Sequence, residues 1–168
     1  MFVAKQSLIF VLYKRLATKN PVYLILAYTL YILPNLNYVS PVWSPSSLFY
    51  MLKLESIQRT FTKKFQGFDD LSYKERLQKS GLKNLELMRL RADLILCYKI
   101  LHGLIQIDSS QMFDYDSYYG PRSHGLILRA PKVRTDLWLH SFSYRTCNSW
   151  NRLSPNIVWA QTLKQFKT

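Results

Sequence analysis

The sequence predicts a mainly α fold: an irregular helical bundle of about six to eight helices, with a long irregular connection near residues 114–135. Three observations lead there. Apolar residues recur at helical rather than alternating spacing, Asn, Ser and Gly stand where those runs start and stop, and only one short extended candidate, Leu126 to Leu128, interrupts the pattern.

In chain order, a first helix is expected over about residues 6–17 and a second where Asn20 can cap and Pro21 takes the first helical position, which needs no N–H. Both are apolar nearly all round. The stretch Leu33 to Pro45 holds three prolines and is expected to bend or break the helix before a new start at Ser46 or Ser47. The next helix is amphipathic, with Leu48, Met51, Leu52, Ile57, Phe61 and Phe65 near one face and Lys53, Arg59, Lys63 and Lys64 off it. Residues 67–71 form a loop. Ser72-Tyr-Lys-Glu75 is a capping box that opens a short helix, which Gly81 can close. A longer helix follows, capped by Asn84 and ended by Gly103. Its expected apolar row is Leu87, Leu90, Leu94, Tyr98 and Leu101, with Arg89 and Asp93 as an i,i+4 pair. A further helix is expected from about Asp136 to Arg152, and a last one within Gln161 to Thr168.

The chain has 168 residues and 19.9 kDa, room for a single helical fragment over 1–168 and too little for a full barrel or a complete polymerase hand. Apolar residues at 48% exclude a disordered tail. The charge divides the chain further. Residues 1–66, apolar and basic, carry 8 cations and 1 acid; the helical middle, 67–113 with the start of the irregular connection up to 120, carries 7 and 8. The basic C-terminal extension spans 114–168, and its residues 121–168 hold 8 cations and 1 acid. Net charge is +13, far beyond what solubility needs, so a polyanionic partner is the leading explanation.

Other classes fit the residues poorly. Cys97 and Cys147 lie far apart without a CxxC or zinc spacing, which points to two reduced thiols in an intracellular protein. Pro21 to Leu33 is an apolar run of about 13 residues, short of the roughly 20 that cross a bilayer, so buried core helices are expected in place of a membrane span. The start lacks a small-residue cleavage site, and no secretory signal is expected. Gly120-Pro-Arg-Ser-His-Gly125 has phosphate-loop spacing, yet Leu126 and Ile127 stand where Lys and Ser/Thr are required. His102, His124 and His140 share no ligand spacing. Phe68-Asp69-Asp70 is no polymerase motif, because Gly67 occupies the aromatic position and no third carboxylate joins the pair. What remains is a basic chain with 15% aromatics. Cations neutralise phosphates and flat rings stack on unpaired bases, so the best nucleic-acid-binding candidates are the clusters Arg59, Lys63, Lys64 and Arg122, Arg129, Lys132, Arg134. Arg145 and Trp150 are read as structural.

Several segments, taken in order, carry a family resemblance. They are Tyr31-Ile-Leu-Pro34, then Leu36-Asn-Tyr-Val-Ser-Pro-Val-Trp-Ser-Pro45, then Leu54-Glu-Ser-Ile-Gln-Arg59 with Phe61-Thr-Lys-Lys64. Leu71-Ser-Tyr-Lys-Glu-Arg-Leu77, Leu85-Glu-Leu-Met-Arg-Leu-Arg91 and Asp93-Leu-Ile-Leu-Cys-Tyr-Lys-Ile-Leu-His-Gly103 follow. Phe142-Ser-Tyr-Arg145 with Trp150-Asn151 and Phe166-Lys167 complete the series. From about Leu12 to Thr168 the chain thereby resembles the region after the catalytic core in the reverse transcriptase of non-LTR retrotransposons, the LINE group that includes jockey-like elements. It departs from that pattern at Leu153-Ser154-Pro155, where a Ser is inserted, and at Trp138, where a polar residue is usual.

The resemblance implies a thumb and post-thumb segment, with residues 1–66 thumb-like, in an RNA-directed DNA polymerase of a transposable element. The implied partners are RNA or an RNA/DNA hybrid and the upstream palm and fingers of the parent polymerase, with no small-molecule substrate. The family's Phe/Tyr-Ala-Asp-Asp motif is not in this sequence. The fragment is therefore expected to be noncatalytic and to need no cofactor, whereas the parent polymerase would use magnesium. The implied location is a nuclear or cytoplasmic ribonucleoprotein. The alternative is a protein-interaction or peripheral membrane helical module with no nucleic-acid role.

Overall fold

The computed structural model describes residues 20–43, 47–115, 124–129 and 140–167. The protein is mainly α, in keeping with the irregular helical bundle that the sequence predicts. It divides into two compact units. Among the described residues, one takes in 20–39 and 47–88, the other 40–43 and 89–167. The expected helix over 6–17 and the first part of the helix from 136 lie outside the described residues.

In the first unit, α1 (Pro21–Ala27) opens as expected, with Asn20 Oδ1 accepting from Val22 N at 3.0 Å. The expected break falls within the stretch 33–45, at Tyr38 and Val39, where Val39 takes φ +49°, and not at Pro34. The chain passes through a π-helical turn at Tyr28–Ile32 into α2 (Leu33–Asn37), so Pro34 sits inside a continuous helical run. The physical reason lies in the wider turn. Leu33 N reaches back to the Tyr28 carbonyl, and this local unwinding absorbs the ring and missing N–H of Pro34. Leu24, Tyr28, Ile32 and Leu36 form the buried stripe of this run, whereas Val22, Tyr23, Leu26, Leu30 and Tyr31 form an exposed apolar face. The expectation of a fully buried core helix is corrected to that extent. The helical stretch Pro21–Val42 has 22 residues, long and apolar enough by length and composition to cross a membrane.

The helix α4 (Leu48–Thr62), preceded by the short α3 (Ser40–Trp43) of the other unit, begins after Ser47 as expected. Its buried row is Leu54, Ile57, Gln58, Phe61 and Thr62, continued by Phe65, while Leu52 is 56% exposed and leaves the predicted face. Tyr28 stacks on Phe61 at 5.0 Å between centroids, and Phe61, Phe65 and Phe68 continue edge to face at 5.3 Å each. Gln58 is buried in this apolar core and fully engaged. It accepts from the Tyr28 hydroxyl at 2.9 Å and donates to the Lys83 carbonyl at 2.9 Å. The helix α5 (Tyr73–Ser80) carries the predicted capping box, with Ser72 N donating to Glu75 Oε2 at 2.7 Å and Glu75 N to Ser72 Oγ at 3.4 Å. Gly81 closes it at φ +68°, a left-handed conformation that costs glycine little.

The helix α6 (Leu85–Leu101) is capped by Asn84, whose Oδ1 accepts from Leu87 N at 2.9 Å. Of the predicted apolar row, Leu94, Tyr98 and Leu101 lie in or against the core, and its first two residues are corrected. Leu87 and Leu90 are exposed, and the buried face reads Leu85, Arg89, Asp93, Cys97 and Ile100, with Tyr98 beside it. Arg89 and Asp93, expected as an i,i+4 pair, are both buried, and Asp93 is bonded to Arg145.

In the second unit, the short α7 (Ser109–Met112) precedes β1 (Asp114–Tyr115), which pairs antiparallel with β2 (Leu128–Arg129). The extended candidate at Leu126 to Leu128 thus begins two residues before β2 and ends on its first residue. The helix α8 (Phe142–Trp150), the turn α9 (Pro155–Val158) and the C-terminal α10 (Leu163–Lys167) follow. The core of this unit joins Cys97, Tyr98, Ile100, Phe113, Leu128, Cys147, Trp150 and Val158. Trp150 is fully buried, with Nε1 donating to the Leu126 carbonyl at 3.0 Å, and Asn151 bonds both backbone groups of Leu128 at 2.8 and 3.0 Å. Cys97 and Cys147 are free and buried thiols. Burial pushes both pKa values up, that of Cys147 to about 11.

Candidate nucleic-acid interface

In the first unit, the candidate cations stand on the last turns of α4 and just beyond it. Arg59 and Lys63 are exposed four residues apart, and Lys64 is half-buried. Placement at a helix C-terminus also suits cations for a structural reason, since the unpaired carbonyls there carry partial negative charge. Arg59 lies 4.9 Å above the ring of Tyr73. That ring is itself held, because its hydroxyl donates to Glu55 Oε1. Burial first, then the bond to Glu55, keeps the Tyr73 hydroxyl protonated far above the ordinary range. Glu55 Oε2 accepts from Leu85 N at 2.9 Å at the start of α6. The Glu55 carboxylate, on the same helix as Arg59, is thus already committed to backbone and hydroxyl donors.

The neighbouring cations divide by role. Arg76 is buried and structural, with Nε donating to Thr62 Oγ1 at 3.2 Å and Nη1 to the Leu71 carbonyl at 2.6 Å. Lys79 donates to the Gly67 carbonyl at 3.1 Å and lies 4.8 Å over Phe68. Lys74 and Lys79 are both exposed.

In the second unit, Arg129 is exposed on β2, where its register partner is Asp114 on β1, so opposite charges face each other across the strands. Arg122, Lys132 and Arg134 lie outside the described residues. The structure therefore brings Arg59, Lys63 and Lys64 together and places Arg129 in the other unit. Arg145 is engaged internally, as its structural reading requires. It holds Asp93 and donates to the carbonyls of His140 at 2.9 Å and Pro41 at 2.5 Å.

Asp69 and Asp70 are both exposed in the turn before α5. Among the described residues, no group of three His, Cys, Asp or Glu side chains could hold a metal ion. His102 Nε2 contacts the Val158 carbonyl at 2.9 Å. His124 is buried, its Nδ1 accepting from Leu126 N at 3.2 Å, and burial lowers its pKa. Compared with protein-family models, with curated proteins and with solved structures, the chain matches none.

Proposed function

We propose that this chain is a noncatalytic C-terminal segment of a non-LTR retrotransposon RNA-directed DNA polymerase, and that it grips RNA or an RNA/DNA primer-template through its cations. The observation that carries the reading is the exposed pair Arg59 and Lys63, with Lys64 beside it, on a chain of net charge +13 where Glu55 of the same helix is bound by Tyr73 and Leu85. The resemblance of the serial motifs from Tyr31 to Lys167 supports that parent enzyme. Phosphate neutralisation releases counterions, so log K for a short RNA/DNA hybrid should fall linearly with log[salt], by about 0.7–0.9 per phosphate contacted. Binding of the whole chain to that hybrid, titrated with salt, tests the reading. A flat response rejects it.

A second reading rests on the apolar face of α1 and the turn after it. Val22, Leu26 and Leu30 are each more than half exposed, and the first acidic residue of the chain is Glu55. An apolar face on an acid-free, cationic segment suits a protein partner or an anionic membrane surface. Pelleting with anionic vesicles in the presence of competing RNA separates the two readings.

A further inference from the structure

Trp159 is 56% exposed, yet its indole is fixed on two sides. Nε1 donates to the His124 carbonyl at 2.7 Å, and the ring stands edge-on to His102, with centroids 6.1 Å apart at 86°. Behind it runs a train of rings. His102 stacks on Tyr98 at 4.1 Å, Tyr98 on Phe166 at 4.4 Å, and Phe166 tilts against the buried Trp150 at 6.1 Å. The Tyr98 hydroxyl ties the train to the backbone by donating to the Ala160 carbonyl at 2.5 Å. Alongside, Gly125 adopts φ +82°, and a Cβ there would lie 4.0 Å from Trp159 Cζ2. Glycine thus lets the chain turn where His124 can hold the indole N–H.

An isolated exposed apolar side chain is ordinary on a protein surface. A ring whose orientation is already set is a different object, because stacking a flat partner on it orders little that was free before. The C-terminal stretch of sequence that carries it has charge of one sign. No acidic residue follows Asp136 in the sequence, while Arg152, Lys164 and Lys167 do, all three exposed. An indole face in a segment without carboxylates suits a base attached to a phosphate backbone.

We infer that Trp159 is a stacking platform for one unpaired nucleobase, so that this unit prefers single-stranded RNA or a strand end over a continuous duplex. The inference rests on the polyanion-binding reading and specifies the ligand class for part of it. Stacking is tolerant of sequence, since every base has a π face, and is expected to show little base preference.

The experiment measures binding of the whole chain to a labelled oligouridine and to an RNA duplex of equal length, for the wild type, Trp159→Ala and Trp159→Phe. Trp159→Ala is expected to weaken oligouridine binding about 5- to 150-fold, the range for removal of one base stack, while duplex binding and the salt slope stay put. Trp159→Phe keeps a ring without the N–H and is expected to recover part of the loss. It is the deciding variant if Trp159→Ala lowers the melting temperature. Equal loss on both RNAs, or no loss on oligouridine while salt-dependent binding persists, overturns the platform and leaves the polyanion reading standing. A wild type that binds neither RNA at low salt overturns both.

Discussion

The Arg145 guanidinium grips the Asp93 carboxylate with two bonds, Nε to Oδ2 at 2.8 Å and Nη2 to Oδ1 at 3.0 Å. Asp93 sits on the buried face of α6, and Arg145 reaches it from α8 across 52 residues of sequence. The remaining donors of Arg145 fasten the carbonyls of Pro41 and His140. One side chain thus links α6, α8 and the start of α3, with the planar fork that makes Arg and not Lys fit the position.

Removing one partner of this pair leaves a buried charge without compensation. Arg145→Met is expected to destabilise the second unit by about 3 kcal/mol, while the double variant Arg145→Met with Asp93→Leu recovers part of that loss. Chemical denaturation followed by near-UV circular dichroism checks both. Additive losses would show that the pair is not coupled.

Glu55 has a comparable place in the first unit, where it receives the Tyr73 hydroxyl and the Leu85 N–H. Glu55→Ala strands both donors and is expected to cost about 2 kcal/mol. Because Tyr73 carries Arg59 on its ring, the same variant should also raise amide exchange around Tyr73 and the last turn of α4. Hydrogen exchange by mass spectrometry reads this, and unchanged protection at 59–64 would contradict it.

His124 predicts a pH dependence. Burial depresses its pKa in the folded chain, outweighing the backbone hydrogen bonds that raise it. The unfolded chain then binds the proton more readily, near the ordinary value of about 6.5. Stability from this group is complete above that value and declines as pH falls below it. Thermal melts between pH 8 and pH 5 should show the decline, and His124→Gln should flatten it. An equally steep decline in the variant would assign the effect elsewhere.

Local signals in the sequence proved readable where one or two residues set the geometry. Asn20 with Pro21, Ser72 with Glu75, Gly81 and Asn84 all stand at the helix ends they predict. Faces were harder. On α6 the sequence shows several apolar rows, and hydropathy favours the one through Leu87 and Leu90. The buried row contains Arg89 and Asp93, and for Asp93 a partner 52 residues away makes burying the charge acceptable. The prolines foretold a break before Ser47 but not its place: a π turn that no local motif announces carries the helix past Pro34, and the chain turns at Tyr38 and Val39. Of the interface, Arg59, Lys63 and Lys64 were legible as cations with few acidic neighbours in sequence. Trp159 was not, since its rigidity comes from His124 and His102, both distant along the chain.

The most direct test of the central claim is the salt dependence of hybrid binding in the triple variant Arg59→Glu, Lys63→Glu, Lys64→Glu beside the wild type. If these side chains meet phosphates, the variant binds more weakly, and its slope of log K against log[salt] is shallower by about 0.7–0.9 for each phosphate no longer neutralised. A folded variant with the wild-type affinity and slope would contradict the account.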